Sequence, residues 1–498
     1  MKKKILFWIN SGTMNIFGLT KYLQNDIDAE FFAIYDVTDK PKKFFQEQKL
    51  TNFQKIWFYH DFMQKKITQP DLNYLKGFED KYGINLWKLV STERIFLYNE
   101  FYNFSTEEIA QILENECRFF EKTLDEISPD FVIMVRPYFH HDTIFFQLCK
   151  AKNIKVLELD TTRFPGKSVI SFSETKKKYK EFQVSGKIRN FDELKEFRKT
   201  NAASRDTDFA STKKNFLSAG IEYFLTTSET KNTNYKYFGR NKLKVFLNYI
   251  FNIFRDKNRE KFLEKNFLKD YTENRKFILF TLSVDAESAL LLDAPYYINQ
   301  IEVVKNIAKS LPSNLVLLVK EHPAAGLRSW RSIEIYKELI SIPNVVAIHH
   351  SANIEKLIKK SSLVISICSS SSLDAVFFEK PTMVFADTDF SMIDDIYRLK
   401  EIEKLPEYIN ECLSKKVDSK NIEKYIQFIE KNSFDYNFIL HGQLMQKFLY
   451  HGSLLVDVEF SEEKMNEFFD KTKDEFDKLT RAYVKKFRAR FDRINYER

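Results

Sequence analysis

Glycine is scarce in this chain, 11 of 498 residues, where an ordinary protein carries about 7%. No Gly-x-Gly occurs and no Gly-x-x-x-x-Gly-Lys-Ser/Thr, which excludes the dinucleotide fingerprint, the glycine-rich kinase loop and the P-loop. Any phosphate site must be built from other groups. The four cysteines, Cys117, Cys149, Cys368 and Cys412, lie far apart, with neither zinc-ligand spacing nor the density of a disulfide scaffold, and a reducing cytoplasm fits them best. No apolar run approaches the roughly 18 residues needed to cross a bilayer, so no membrane-spanning helix is expected. The stretch Ile5–Ile9 behind three lysines is too short for a signal peptide and reads as a first strand.

What is present is length, aromatic content and an uneven charge. A chain of 498 residues exceeds the roughly 250–300 residues that one core supports, so two or more domains are expected. Hydrophobic residues at 44% and charged residues at 30% give a folded rather than a disordered composition. In residues 1–160, Ile5–Ile9, Phe31–Tyr35, Ile56–Tyr59, Phe131–Val135 and Val156–Leu159 read as strands alternating with helical patterns. Residues 161–270 lose that rhythm and hold 25 Lys/Arg against 13 Asp/Glu, a net of +12 within a chain whose total is +8; they read as a basic, aromatic insertion. The rhythm returns in 271–400 with strands at Phe277–Leu282, Leu315–Lys320, Val345–His349, Leu363–Ile367 and Thr382–Ala386. Residues 401–498 read as helices, and Met465, Phe469, Thr472, Phe476, Leu479, Tyr483, Phe487 and Phe491 recur at the spacing of one long amphipathic helix. Strands separated by helices imply parallel, doubly wound sheets. Two of them in sequence describe the α/β architecture of GT-B type: two Rossmann-like domains facing across a cleft, followed by C-terminal helices. Ligands of such sheets sit beyond the carboxyl ends of the strands.

Two features fall at such strand ends. The strand Leu315–Lys320 runs into Glu321-His322-Pro323, and Pro323 stops the ladder there. Leu363–Ile367 leads into Cys368 and then Ser369, Ser370, Ser371 and Ser372 at the start of a helical run. Hydroxyls and free N–H groups at a helix start suit a phosphate, and Lys320 and His322 add donors. The expectation is that imidazole and hydroxyl row meet around one anionic group.

These residues also carry a resemblance. Ser283-Val284-Asp285-Ala286-Glu287, Gln300, Ser310-Leu311-Pro312, Val319-Lys320-Glu321-His322-Pro323 with Gly326 and Arg328, Ile342-Pro343-Asn344-Val345, and the serine-rich turn through Asp374-Ala375 to Lys380-Pro381 follow in order. The segment Phe277–Phe385 resembles the donor-binding half of bacterial capsule and surface-polysaccharide biosynthesis proteins, themselves similar to Kdo transferases. The resemblance implies a glycosyltransferase using a nucleotide-sugar donor, preferably a CMP-activated acidic sugar such as Kdo or sialic acid, with a glycan or lipid-linked glycan as acceptor. It implies donor contacts at Lys320, His322, Pro323, Ser369, Ser370, Ser371, Ser372 and Asp374. The alternatives are a CDP-polyol phosphotransferase and a non-catalytic scaffold of polysaccharide export.

Transfer of a sugar needs a carboxylate or base near the anomeric carbon. Glu287 and Asp285, which follow the strand Phe277–Leu282, are the first candidates, and His141 and Asp160 in the first domain are candidates for activating the acceptor. No cofactor is required; Asp387-Thr388-Asp389 and Asp206-Thr207-Asp208 are Asp-x-Asp pairs of the kind that hold Mg²⁺ or Mn²⁺ on phosphates, but no metal ligand is assigned. The basic, aromatic run Lys242–Phe251 and the basic end of the last helix suit an anionic membrane surface, which places the protein in the cytoplasm, peripheral to the membrane. No nucleic-acid module is recognised.

Overall fold

The computed structural model describes residues 2–63, 69–201, 234–326, 331–450 and 457–496. Its strands are β1 (Lys3–Asn10), β2 (Ala29–Asp36), β3 (Lys55–Phe58), β4 (Phe131–Val135), β5 (Lys155–Thr161), β6 (Lys167–Ile170), β7 (Phe277–Thr281), β8 (Val316–Lys320), β9 (Val345–Ile348), β10 (Leu363–Ser366), β11 (Thr382–Val384), β12 (Ile396–Arg398) and β13 (Phe434–Asp435). They form two sheets, ordered β13-β6-β5-β4-β1-β2-β3 and β12-β11-β10-β7-β8-β9. The neighbours β1 through β5 pair in parallel, and so do all pairs of the second sheet. Each sheet is wound outward from its first strand, the order 3-2-1-4-5 that creates a crevice where the direction of winding reverses. That crevice lies between β1 and β4 in one sheet and between β7 and β10 in the other.

The central strands are apolar on both faces because both faces are covered. Ile5, Phe7 and Ile9 enter one core while Leu6 and Trp8 enter the other; Ile278 and Phe280 divide from Phe277 and Leu279 in the same way. The period of two in side-chain direction makes these runs strands with two buried faces.

Three expectations about elements are corrected. Residues 161–270 contribute β6, which turns back antiparallel on β5 through Gly166, whose φ of +70° favours glycine. Residues 401–498, read as helices, contain β13, antiparallel to β6, and the unread β12, parallel to β11, closes the region 271–400. The long terminal helix is two, Glu462–Lys471 and Lys473–Tyr496, separated at Thr472, whose hydroxyl bonds back to the Phe468 carbonyl at 2.6 Å.

The apolar stripe of those two helices covers the first sheet. Met465, Phe468, Phe469, Phe476, Leu479, Tyr483 and Phe487 share a core with Ile5, Phe7 and Phe17, each large side chain contributing about 1.5–3 kcal/mol by leaving water. The chain therefore returns from the second sheet to seal the first. Gly18, in the helix Met14–Asp26, is the point of closest approach: a Cβ there would stand 2.2 Å from the Phe476 ring.

Candidate functional site

The carboxyl edges of the two sheets face each other and are joined by ion pairs. Arg136, just after β4, reaches Asp293 and lies 3.4 Å from Asp160 at the end of β5. Arg163 binds Asp389 with both carboxylate oxygens at 2.9 and 3.2 Å. Lys176 reaches Asp387 at 2.5 Å and the Thr388 carbonyl at 2.8 Å. The Asp387-x-Asp389 pair is thus neutralised by side chains from the first half of the chain, a domain clamp rather than an open cation site. Asp206-x-Asp208 lies outside the described residues.

On the second sheet, the ends of β10, β7 and β8 carry the serine turn, Ser283 to Glu287, and His322. The serines and the imidazole share one edge, but β7 separates their strands, so the strand ends are about 10 Å apart. No hydrogen bond joins them among the described residues. Between them stands a buried cation, Arg331. Its guanidinium binds Glu321, the Ser283 carbonyl and, at 2.9 Å, Asp285. Tyr336 donates to the second Glu321 oxygen at 2.7 Å. Burial pushes the Glu321 carboxyl up, but Arg331 outweighs it and holds it below its ordinary value. For Asp285 burial wins and the carboxyl is raised despite Arg331. Gln300 supports the same loop, accepting from the Ser283 N–H at 2.7 Å and donating to the Ser283 carbonyl at 3.0 Å.

His322 is half-buried. Its Nδ1 accepts the Ala324 N–H at 3.1 Å, so the ring proton sits on Nε2, which faces away from that bond. Burial lowers its pKa to about 4 against the pull of Glu321. It is a neutral N–H donor through the physiological range. Pro323 ends β8 and begins the short turn Pro323–Gly326.

The four serines divide in two. Ser371 bonds to the Thr281 hydroxyl at 2.7 Å, and Ser372 bonds to the Ser366 hydroxyl at 2.8 Å; both are buried and hold the turn against β7 and β10. Ser369 and Ser370 remain half-exposed. Ser369 Oγ accepts from the Ser371 hydroxyl at 3.1 Å and the Ser371 N–H at 3.3 Å, which leaves its own hydrogen to donate outward.

Two expected donor contacts, Lys320 and Asp374, serve elsewhere, and Glu287 stands in the open. Lys320 is buried and caps the carbonyls of Glu321 and His350 at 3.1 and 2.9 Å. Asp374 is buried in an ion pair with Arg198 at 2.8 Å, which ties the helix Ser371–Phe377 to the helix Phe191–Thr200. Glu287 is exposed at the start of the short helix Ser288–Leu291.

In the first domain His141 has no exposed surface, so an acceptor hydroxyl does not reach it in this structure. It belongs to a buried network. Lys236 grips Asp36 at 2.8 and 2.9 Å, and His60 and His141 approach the same carboxylate at 2.8 and 3.2 Å. His140 lies between Glu93 and Glu116 at 3.0 and 3.1 Å. Burial opposes its charge, but the two carboxylates raise its pKa to about 10, and it is a cation at neutral pH. Asp160 differs from these: it ends β5 beside Arg136 in the space between the sheets, and burial raises its carboxyl to about 6 despite that guanidinium. A carboxylate with that pKa is suited to accept a proton near neutrality.

Sequence reasoning did not find Arg331, Asp293 or Lys236. Glu321 stood inside the quoted motif, and a carboxylate between a buried strand and Pro323 was the one available signal.

Residues 196–393 match the model of a family described as capsule polysaccharide biosynthesis protein. The resemblance read from Phe277–Phe385 falls inside that match. No curated protein matches the chain. Among solved structures, the beta Kdo 2,7 transferase KpsC of Thermosulfurimonas dismutans is similar at 12% identity and a TM-score of 0.30, covering 78% of this chain and 97% of that one. The Methanocaldococcus jannaschii UDP-GlcNAc 2-epimerase in complex with UDP-GlcNAc and UDP is similar at 14% identity and a TM-score of 0.25, covering 86% and 99%. The N-terminal domain of Candida albicans trehalose-6-phosphate phosphatase is similar at 13% identity and a TM-score of 0.30, covering 87% and 94%.

Proposed function

We propose that this protein is a glycosyltransferase of capsule or surface-polysaccharide assembly, taking its sugar from a nucleotide donor held at the carboxyl edge of β7, β8 and β10. The reading rests on two features of the facing sheet edges: N–H and O–H donors at His322 and Ser369 on the second sheet, and a carboxylate of raised pKa at Asp160 on the first. Donors of that kind stabilise the phosphate that leaves, and the carboxylate takes the proton of the attacking hydroxyl.

The donor is a CMP-activated acidic sugar such as Kdo or sialic acid. A nucleoside monophosphate sugar carries one negative charge on its phosphodiester, and neutral donors match it. The cations nearest the edge, Lys320 and Arg331, are engaged by carbonyls and carboxylates, which leaves the phosphodiester to neutral donors. The test is a donor screen with product analysis. Transfer of sugar alone with release of CMP supports the reading; an acceptor that gains phosphorus identifies polyol-phosphate transfer; no turnover with any donor favours a scaffold.

The acceptor side is an anionic membrane surface bearing a lipid-linked glycan. The helix Lys242–Asn266 exposes Leu243, Phe246, Leu247, Tyr249, Phe251, Ile253 and Phe254 among Lys242, Lys244 and Arg255, the composition of an interfacial helix. No described helix is long and apolar enough to cross a membrane.

A further inference from the structure

The same helix carries Glu260 and Glu264 one turn apart, and both face a His-His pair at the end of β9. His350 Nε2 is 3.1 Å from Glu260 Oε1. His349 Nε2 is 3.8 Å from Glu260 Oε1 and 3.9 Å from Glu264 Oε1. His349 is almost wholly buried, and its Nε2 has no hydrogen-bond partner among the described residues. An orphaned buried nitrogen aimed between two carboxylates is costly unless something sits there.

We propose that Glu260, Glu264, His349 and His350 bind a divalent transition-metal ion of the zinc type. Zinc–ligand bonds of 2.0–2.2 Å in a tetrahedron place neighbouring donors about 3.4 Å apart; the donor atoms of Glu260, His349 and His350 lie within 4.8 Å of one another and Glu264 Oε1 stands 3.9 Å from His349 Nε2, so a bound ion draws them inward. Two imidazoles and two carboxylates are a zinc donor set. Ser351 meets His349 Nδ1 with its hydroxyl at 2.7 Å and its N–H at 3.2 Å. It can therefore hold either tautomer, and when Nε2 takes a metal the Nδ1 proton goes to the Ser351 hydroxyl, the outer bond that orients a ligating histidine. Lys269 occupies the other Glu264 oxygen at 2.5 Å and leaves Oε1 toward His349.

The histidine clusters of the first domain do not compete as metal sites. The Lys236 ammonium already occupies the Asp36–His141 group, and the His140 cation occupies the space between Glu93 and Glu116. The proposed ion staples the helix Lys242–Asn266 to the edge of the second sheet, beside the backbone bonds Leu268 N–H to the Ala347 carbonyl and His349 N–H to the Leu268 carbonyl. It fixes the base of a helix whose other half exposes an apolar face.

The test uses full-length protein stripped with a chelator and titrated with Co²⁺ and Zn²⁺. The expected result is one ion per chain, the intense visible absorption of four-coordinate cobalt, and its loss on adding Zn²⁺. His350→Ala and Glu264→Gln are partly exposed positions that keep the core intact; with unchanged circular dichroism each weakens binding about 100-fold, and Ser351→Ala weakens it about 10-fold. Absence of stoichiometric binding by the wild type, or binding equal in the folded His350→Ala variant, overturns the proposal.

Discussion

In the proposed reaction Asp160 and His322 divide the chemistry between proton and phosphate. Asp160→Asn keeps the shape and removes the base, so kcat falls about 10²–10⁴-fold with donor KM little changed, measured by steady-state kinetics. Because the Asp160 carboxyl titrates at about 6, wild-type activity falls as pH drops through 6, and the variant loses that limb. His322 behaves differently. With a pKa of about 4 it stays neutral above pH 5, so donor affinity holds steady from pH 6 to pH 8. The strand-end positions of His322, Ser369 and Asp160 were legible because each sits where a β-type run meets a breaker or ends in a polar residue. Lys236 was not: its partner Asp36 is 200 positions away, and no local pattern announces such a meeting. Arg331 lies in no periodic run, and its role exists only once β7 and β8 stand side by side.

At the scale of elements, two contacts decide stability. Gly18→Ala drives a methyl into the Phe476 ring, and overpacking of this kind costs about 1–3 kcal/mol, read as a lower denaturant midpoint. The His140 ion triad gives a pH signature. Its folded pKa of about 10 lies above the ordinary 6.5, so its stabilisation is complete below pH 6.5 and is lost as pH rises through 10. Glu93, held at about 2 by His140 although burial opposes it, contributes above pH 4.5 and is lost as pH falls toward 2. His140→Gln removes the alkaline loss in urea titrations run from pH 7 to pH 10. Most strands were legible as apolar runs, since both faces of the central strands are buried. The short β6, β12 and β13 were not, because two to four residues at or next to a sheet edge carry too little pattern. The apolar period of the last helices showed that they pack, but not that they pack on the first sheet.

For the molecule as a whole, the two edges are closed on each other by Arg136–Asp293 and Arg163–Asp389, and the exposed apolar half of the helix Lys242–Asn266 stands outside that closure. Flotation with vesicles rich in anionic lipid carries the protein upward, and Phe251→Glu with Phe254→Glu abolishes it; a wild type that stays at the bottom removes the membrane from the account. The central claim, a cytidine nucleotide held by neutral donors at the second sheet, is tested most directly by calorimetric titration of CMP, UDP and GDP into wild type and His322→Ala. The account predicts that CMP binds most tightly and that the variant binds it about 10–100-fold more weakly, the loss of one hydrogen bond to a charged group. No heat from CMP, or equal affinity in the variant, would contradict it.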